Sequence, residues 1–153
     1  MKDSKLWPTK YKMSFLTLAM IAGLLIFSGC SSVKQMNINI QGMPEMNNGN
    51  AVVVYICQLS NEKGFMQATY ESFWQGDDKP FQDEVIKGTT KRLFPNASIP
   101  EMINIDSETK FIGIAADFFD PDEEAWRRIY PLTSKPPKQI VIIVGINKID
   151  IQY

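Results

Sequence analysis

An apolar run from Met13 to Phe27 ends on Ser28, Gly29 and Cys30, with Lys2, Lys5, Lys10 and Lys12 in front of it. A basic start, a short apolar stretch and small residues before a cleavage point mark an export signal. The run has fifteen residues, short of the ~18–20 that cross a bilayer as a helix. Removal of the signal is expected to leave residues 30–153, a mature chain of 124 residues. That is the length of one domain with one core.

Because the run stops on Cys30, the segment resembles the lipobox of bacterial lipoproteins, with Phe27 where Leu is usual. The resemblance implies acylation of the Cys30 sulfur, cleavage before it and a further acyl chain on the new terminus. Each buried methylene contributes about 0.8 kcal/mol, and two or more chains make anchoring stable. Ser31 follows the Cys; by the resemblance, the absence of Asp there implies sorting to the outer membrane, with the domain facing the periplasm. Residues 30–35 are expected to be the lipidated Cys and a short polar tether. With Cys30 lipidated, Cys57 is the single remaining cysteine, so no intrachain disulfide forms. Cys57 lies within the apolar stretch Ala51–Leu59 and is expected to pack as a small hydrophobe. Residues 1–29 carry four Lys and one Asp; without them 12 basic and 16 acidic residues remain, a net charge of −4. That balance argues against nucleic acid and against electrostatic adhesion to anionic lipid.

The mature chain reads as strands with one helix. Met36–Gln41 alternates apolar and polar residues, as a half-buried strand does. Gly42–Asn50 holds Gly, Pro and Asn and is a loop. Ala51–Leu59 is nearly all apolar and is expected to be a central strand. Ser60 is placed to cap a helix over Asn61–Gln75, whose Phe65, Met66, Thr69, Tyr70, Phe73 and Trp74 share one face. Gly76–Pro80 ends it, Phe81–Ile86 reads as irregular or a short strand, and Gly88–Phe94 has strand composition. Glu101–Ile105 alternates, residues 110–130 read as a hairpin with a turn at Asp120–Glu124, and Gln139–Val144 and Ile146–Gln152 are the last strands. Short strands with frequent turn signals predict an antiparallel β-sandwich.

The order of these pieces carries a second resemblance. A lipobox, a short strand, an Asn/Gly/Pro loop, the strand Val52–Leu59 and the aromatic helix pattern Phe65–Trp74 are followed by Phe111–Phe118 and Ala125-Trp-Arg127. Together they resemble the TssJ lipoproteins of the bacterial type VI secretion system over residues 26–153. Pro95-Asn96 stands where that family often has Pro-Gly, and Cys57 is a further departure. The resemblance implies a mainly β fold, a transthyretin-like antiparallel β-sandwich with one added amphipathic helix after the second strand. It also implies an outer-membrane anchor for a trans-envelope complex, bound to the periplasmic C-terminal region of TssM and indirectly to TssL. The partner-binding loop it implies is Gly42, Met43, Pro44, Glu45, Met46, Asn47, Asn48, Gly49 and Asn50. Independently of the resemblance, a nine-residue loop on a rigid sandwich can present side chains without disturbing the core. Met43 and Met46 are flexible, polarizable contact makers and Pro44 limits the disorder lost on docking. The alternative is a solvated connector whose Met side chains fold back on the sheet.

Other groupings read as structural. Asp117, Asp120, Asp122, Glu123 and Glu124 are acidic, but the Gly of a calcium loop is missing and Pro121 sits among them. A solvated turn is expected. Arg127 and Arg128 follow Trp126 and face opposite sides of a strand; one of them is expected to pair with Asp117 across the hairpin or to stack on an aromatic ring, and structural roles are expected for Trp126 and Arg127. The chain has no His, no Gly-x-Ser-x-Gly and no phosphate-cradling Gly loop, so no enzyme is expected. No cofactor, metal, nucleic acid or small-molecule substrate is expected, only covalent lipid on Cys30. The competing function is a periplasmic binding or hydrolase-inhibitor lipoprotein of the same sandwich fold.

Overall fold

Two four-stranded sheets, ordered β4-β1-β7-β8 and β3-β2-β5-β6, stack face to face in the computed structural model of the chain. It describes residues 34–133 and 135–153. The expected signal peptide 1–29, Cys30 and residues 31–33 of the tether lie outside the described residues. The strands are β1 (Lys34–Gly42), β2 (Val52–Leu59), β3 (Val85–Leu93), β4 (Ser98–Ile105), β5 (Phe111–Asp117), β6 (Arg127–Pro131), β7 (Gln139–Val144) and β8 (Ile149–Gln152). Between β2 and β3 come three short helices, α1 (Lys63–Gln67), α2 (Tyr70–Gln75) and α3 (Lys79–Glu84).

Alternation builds the core. Met36, Ile38 and Ile40 of β1 are buried, as are Ile140, Ile142 and Val144 of β7. In the other sheet Val54, Ile56, Ile112, Ile114 and Ala116 are buried, and the register pairs Ile56 with Ile114 and Val54 with Ala116. The side chains between them, Tyr55 and Cys57, fall on the opposite face because successive residues of a strand point to opposite sides. There Tyr55 meets Phe73 and Phe81 edge-on, at ring-centroid distances of 6.0 and 6.4 Å. The helices therefore cover the outer face of the β3-β2-β5-β6 sheet, and the β2 strand is buried from both sides. That double burial is why its sequence is a continuous apolar run rather than an alternating one. Where β3 and β4 meet at the side of the sandwich, Lys91 pairs with Glu101 at 2.7 Å and Lys87 with Asp106 at 3.3 Å.

Several expectations need correction. β1 begins at Lys34, so two residues assigned to the tether are sheet, with Lys34 opposite Ile105 and Gln35 opposite Asn104. The sandwich is not wholly antiparallel: β1 runs parallel to β7, which is open to strands that no tight hairpin joins. The single helix over Asn61–Gln75 is two, broken at Ala68, whose ψ of 136° leaves the helical region. Thr69 then restarts the chain with a reciprocal capping box to Ser72. Ser60 does not cap the first helix. Asn61 takes up the amides of Glu62 and Lys63, and the Ser60 hydroxyl donates to the Glu84 carbonyl. Residues 79–84 form α3, capped by the Asp78 side chain with Pro80 in its first turn. The break also changes the apolar face: Phe65 and Phe73 are buried, while Met66 is 46% exposed.

Candidate functional site

The loop Gly42–Asn50 sits at the end of the sandwich where β1 stops. The connections β3–β4, β5–β6 and β7–β8 reach that same end, since Gly42 lies opposite Val144, Gln41 opposite Ser98 and Val53 opposite Asp117 and Arg92. Lys34, the first described residue, is at the other end of β1.

Within the loop the residues divide into two groups. Met46 is fully buried and Asn47 is 5% exposed. Met43, Pro44, Glu45, Asn48, Gly49 and Asn50 are exposed. Met46 is therefore not a contact maker; it seals the end of the core, its sulfur close beside Gly42. Gly42 has to be glycine here, because a Cβ on it would lie 2.6 Å from the Phe94 carbonyl oxygen.

Asn47 organises the rest. Its Nδ2 donates to the Ala51 carbonyl at 3.0 Å, and its Oδ1 accepts from the Phe119 amide at 2.8 Å. Its own amide is shared between the carbonyls of Gly145 and Ile146 at 3.2 and 3.1 Å. Its carbonyl accepts from the Asn50 amide and side chain, both at 3.1 Å. One residue thus ties the first loop to the β5–β6 and β7–β8 connections. Asn47 and Asn48 hold φ of 48° and 55°, and Gly49 82°. Three left-handed residues in succession suit Asn and Gly, whose short or absent side chains tolerate that region.

The other sequence candidates lie elsewhere. Arg127 does not pair with Asp117. Its guanidinium is buried and donates to the Phe65 carbonyl at 2.8 Å, the Met66 carbonyl at 2.5 Å and the Ala68 carbonyl. It lies 4.8 Å from the Trp126 ring centroid, which fits the stacking alternative. Burial, set against the carboxylates of Glu124 and Asp78, pulls its pKa below the usual guanidinium value. Asp117 instead accepts from the Tyr70 hydroxyl at 2.5 Å, and that hydroxyl also reaches the Phe118 carbonyl at 2.7 Å. Cys57 is buried with its thiol 3.6 Å from the Gly113 carbonyl, and burial pushes its pKa well up. Among the described residues no group of three or more His, Cys, Asp or Glu side chains is placed to hold a metal ion.

The profile of the type VI secretion lipoproteins (VasD, EvfM, TssJ) matches residues 34–147. The chain belongs to that family. No curated protein matches it. Among solved structures, a chain of one described as "Type VI membrane complex" is 25% identical with a TM-score of 0.74, over 80% of this chain and all of that one. A chain of a structure described as "T6SS protein TssM C-terminal domain (869-1107) from EAEC" is 24% identical with a TM-score of 0.65, over 79% and 99%. The lipoprotein TssJ1 from Pseudomonas aeruginosa is 17% identical with a TM-score of 0.71, over 78% and 95%. These likenesses bear out a mainly β sandwich with added helices.

The family match spans the whole loop 42–50 and begins four positions after Cys30. At the loop end of this lipoprotein the sequence reading missed three residues: Phe94, Phe119 and Ile146, which are 56%, 85% and 47% exposed. A signal existed for two of them. Phe119 precedes the turn residues Asp120-Pro121, and Ile146 stands between Gly145 and Asn147; a large apolar side chain at a turn has little sheet to cover it.

Proposed function

We propose that this lipoprotein anchors the type VI secretion membrane complex to the outer membrane and grips TssM, and TssL through it, with its loop end. The observation that carries the reading is the polarity of the domain. β1 is nine residues long, about 30 Å of strand, and it separates Lys34 from the loop 42–50. Cys30 stands four positions before Lys34, within about 13 Å of extended chain. Acyl chains on Cys30 fix one end by hydrophobic burial, and the exposed Met43, Pro44 and Glu45 face the periplasm from the other. Family membership and likeness to a chain of a type VI membrane complex support the reading, as does likeness to a chain from a structure described for a TssM C-terminal domain. The domain acts as a transthyretin-like binding body without an enzymatic reaction.

Met46 and Asn47 belong to the folded framework, so deleting residues 43–49 would damage the fold as well as the surface. Substituting exposed residues is the cleaner test. The pair Met43→Asp and Glu45→Arg is expected to weaken binding to the periplasmic region of TssM at least tenfold, with the urea unfolding midpoint unchanged. Unchanged affinity would place the interface elsewhere. Cys30→Ser is expected to release the protein from the membrane and stop secretion; normal secretion would remove the anchor.

A further inference from the structure

We infer that the docking surface extends well beyond the first loop: a platform built from four connections, with Phe119 as its anchor, shaped for an apolar recess ringed by Lys and Arg on the partner. The inference rests on the reading of this end as the partner-facing one. Among the described residues seven large hydrophobic side chains are exposed, and four of them, Met43, Phe94, Phe119 and Ile146, are on connections at this end. Scattered apolar residues are ordinary on a protein surface, whereas grouped ones mark interaction sites. Phe119 is 85% exposed, yet its backbone is held, since its amide donates to Asn47 Oδ1 at 2.8 Å. Ile146 is held by the same residue, its carbonyl 3.1 Å from the Asn47 amide. The β5–β6 connection is further pinned to the β7–β8 turn by the Asp122 amide on the Asn147 carbonyl. Phe94 is beside Gly42, its carbonyl accepting from the Ala97 amide. An exposed aromatic on a fixed backbone is the arrangement that makes an interface hot spot, because little is left to order on docking.

Charge selects the kind of partner. Glu45, Asp120, Asp122, Glu123 and Glu124 are all exposed at this end. Against them stand Arg92, Lys148 and Arg128. Lys148 is 3.4 Å from Asp150, and Arg128 donates to the Glu124 backbone carbonyl at 3.2 Å. The surplus is acidic, so a partner with a basic rim is attracted and an acidic one repelled.

The test uses the full lipidated chain in detergent and the TssM periplasmic region as probe, with affinity read at several salt concentrations. Phe119→Ala is expected to weaken binding about 30-fold, and Met102→Ala, on the exposed side of β4, not at all. Asp122→Lys with Glu123→Lys is expected to slow association and flatten its salt dependence. Phe119 touches solvent, so its truncation leaves the unfolding midpoint in place. Wild-type affinity in Phe119→Ala, alongside weak binding by Met43→Asp, overturns the extended platform and spares the proposed function. No binding by the wild type overturns the function itself. Salt-independent wild-type binding overturns the basic rim. Loss of a dimer of this chain in Phe119→Ala, with TssM binding intact, assigns the platform to a second copy and also overturns the proposal.

Discussion

Asn47 combines two demands that few residues meet. Its backbone occupies the left-handed region and its side chain bridges two connections. Asn47→Ala removes two part-buried hydrogen bonds, at roughly 1 kcal/mol each, and places a Cβ residue without local hydrogen bonding at positive φ, for roughly 1–2 kcal/mol more. The expected loss is about 3 kcal/mol in urea unfolding. Asn47→Gly keeps the backbone freedom and should cost only the two hydrogen bonds, about 2 kcal/mol; equal losses would show that the conformation carries no strain. Buried acids give a second residue-scale test. Burial, reinforced by Cys57, holds the Tyr55 phenol at about 12 against an ordinary 10. Burial raises Tyr70 and Cys57 in the same direction. In the unfolded chain these groups release protons first, so the folded state is favoured fully below their ordinary values and loses that advantage as pH rises. The urea midpoint is expected to hold from pH 7 to about pH 8.5 and to fall by pH 11, less steeply in Tyr55→Phe. The thiol of Cys57 should likewise resist a thiol reagent until the chain unfolds.

The helical layer shows how the tertiary structure overrides a local pattern. Phe65 and Phe73 were legible as core residues from their spacing, and the strands β1, β2, β5 and β7 from their alternation or apolar runs. The break at Ala68 was not legible, because its cause is on another strand. The Arg127 guanidinium takes the carbonyls of Phe65, Met66 and Ala68, groups that a continuing helix would have used internally. Gly64 is a second feature whose reason lies far along the chain. A Cβ there would lie 2.6 Å from the Pro80 backbone, so only glycine lets α1 and α3 pack this closely at that point. Arg127→Met is expected to cost about 3 kcal/mol by leaving three carbonyls without their donor, and Arg127→Lys to rescue only part of it, since an ammonium lacks the planar fork. A loss below 1 kcal/mol would mean water satisfies the same carbonyls. The loop end had the same limit. The sequence marked 42–50 as a loop and offered Met side chains folded back on the sheet as one of two readings, which Met46 meets and the exposed Met43 does not; it did not show that Phe119 and Ile146 arrive beside the loop from residues far along the chain.

At the scale of the molecule, the sandwich has two unlike ends, and the proposed function uses it as a spacer between them. Lys34 leads back toward Cys30 at one, and four connections meet at the other. On the β3–β4 side the Lys91–Glu101 and Lys87–Asp106 pairs join the edges of the two sheets. The arrangement predicts where a neighbour must lie. A photo-crosslinking residue placed at Met43 in the full chain, in cells assembling the secretion system, should form an adduct with TssM. The same residue at Glu108, exposed in the β4–β5 connection that follows Ile105, the partner of Lys34 at the opposite end of the sandwich, should not. Adducts from Glu108 with none from Met43 would contradict the account.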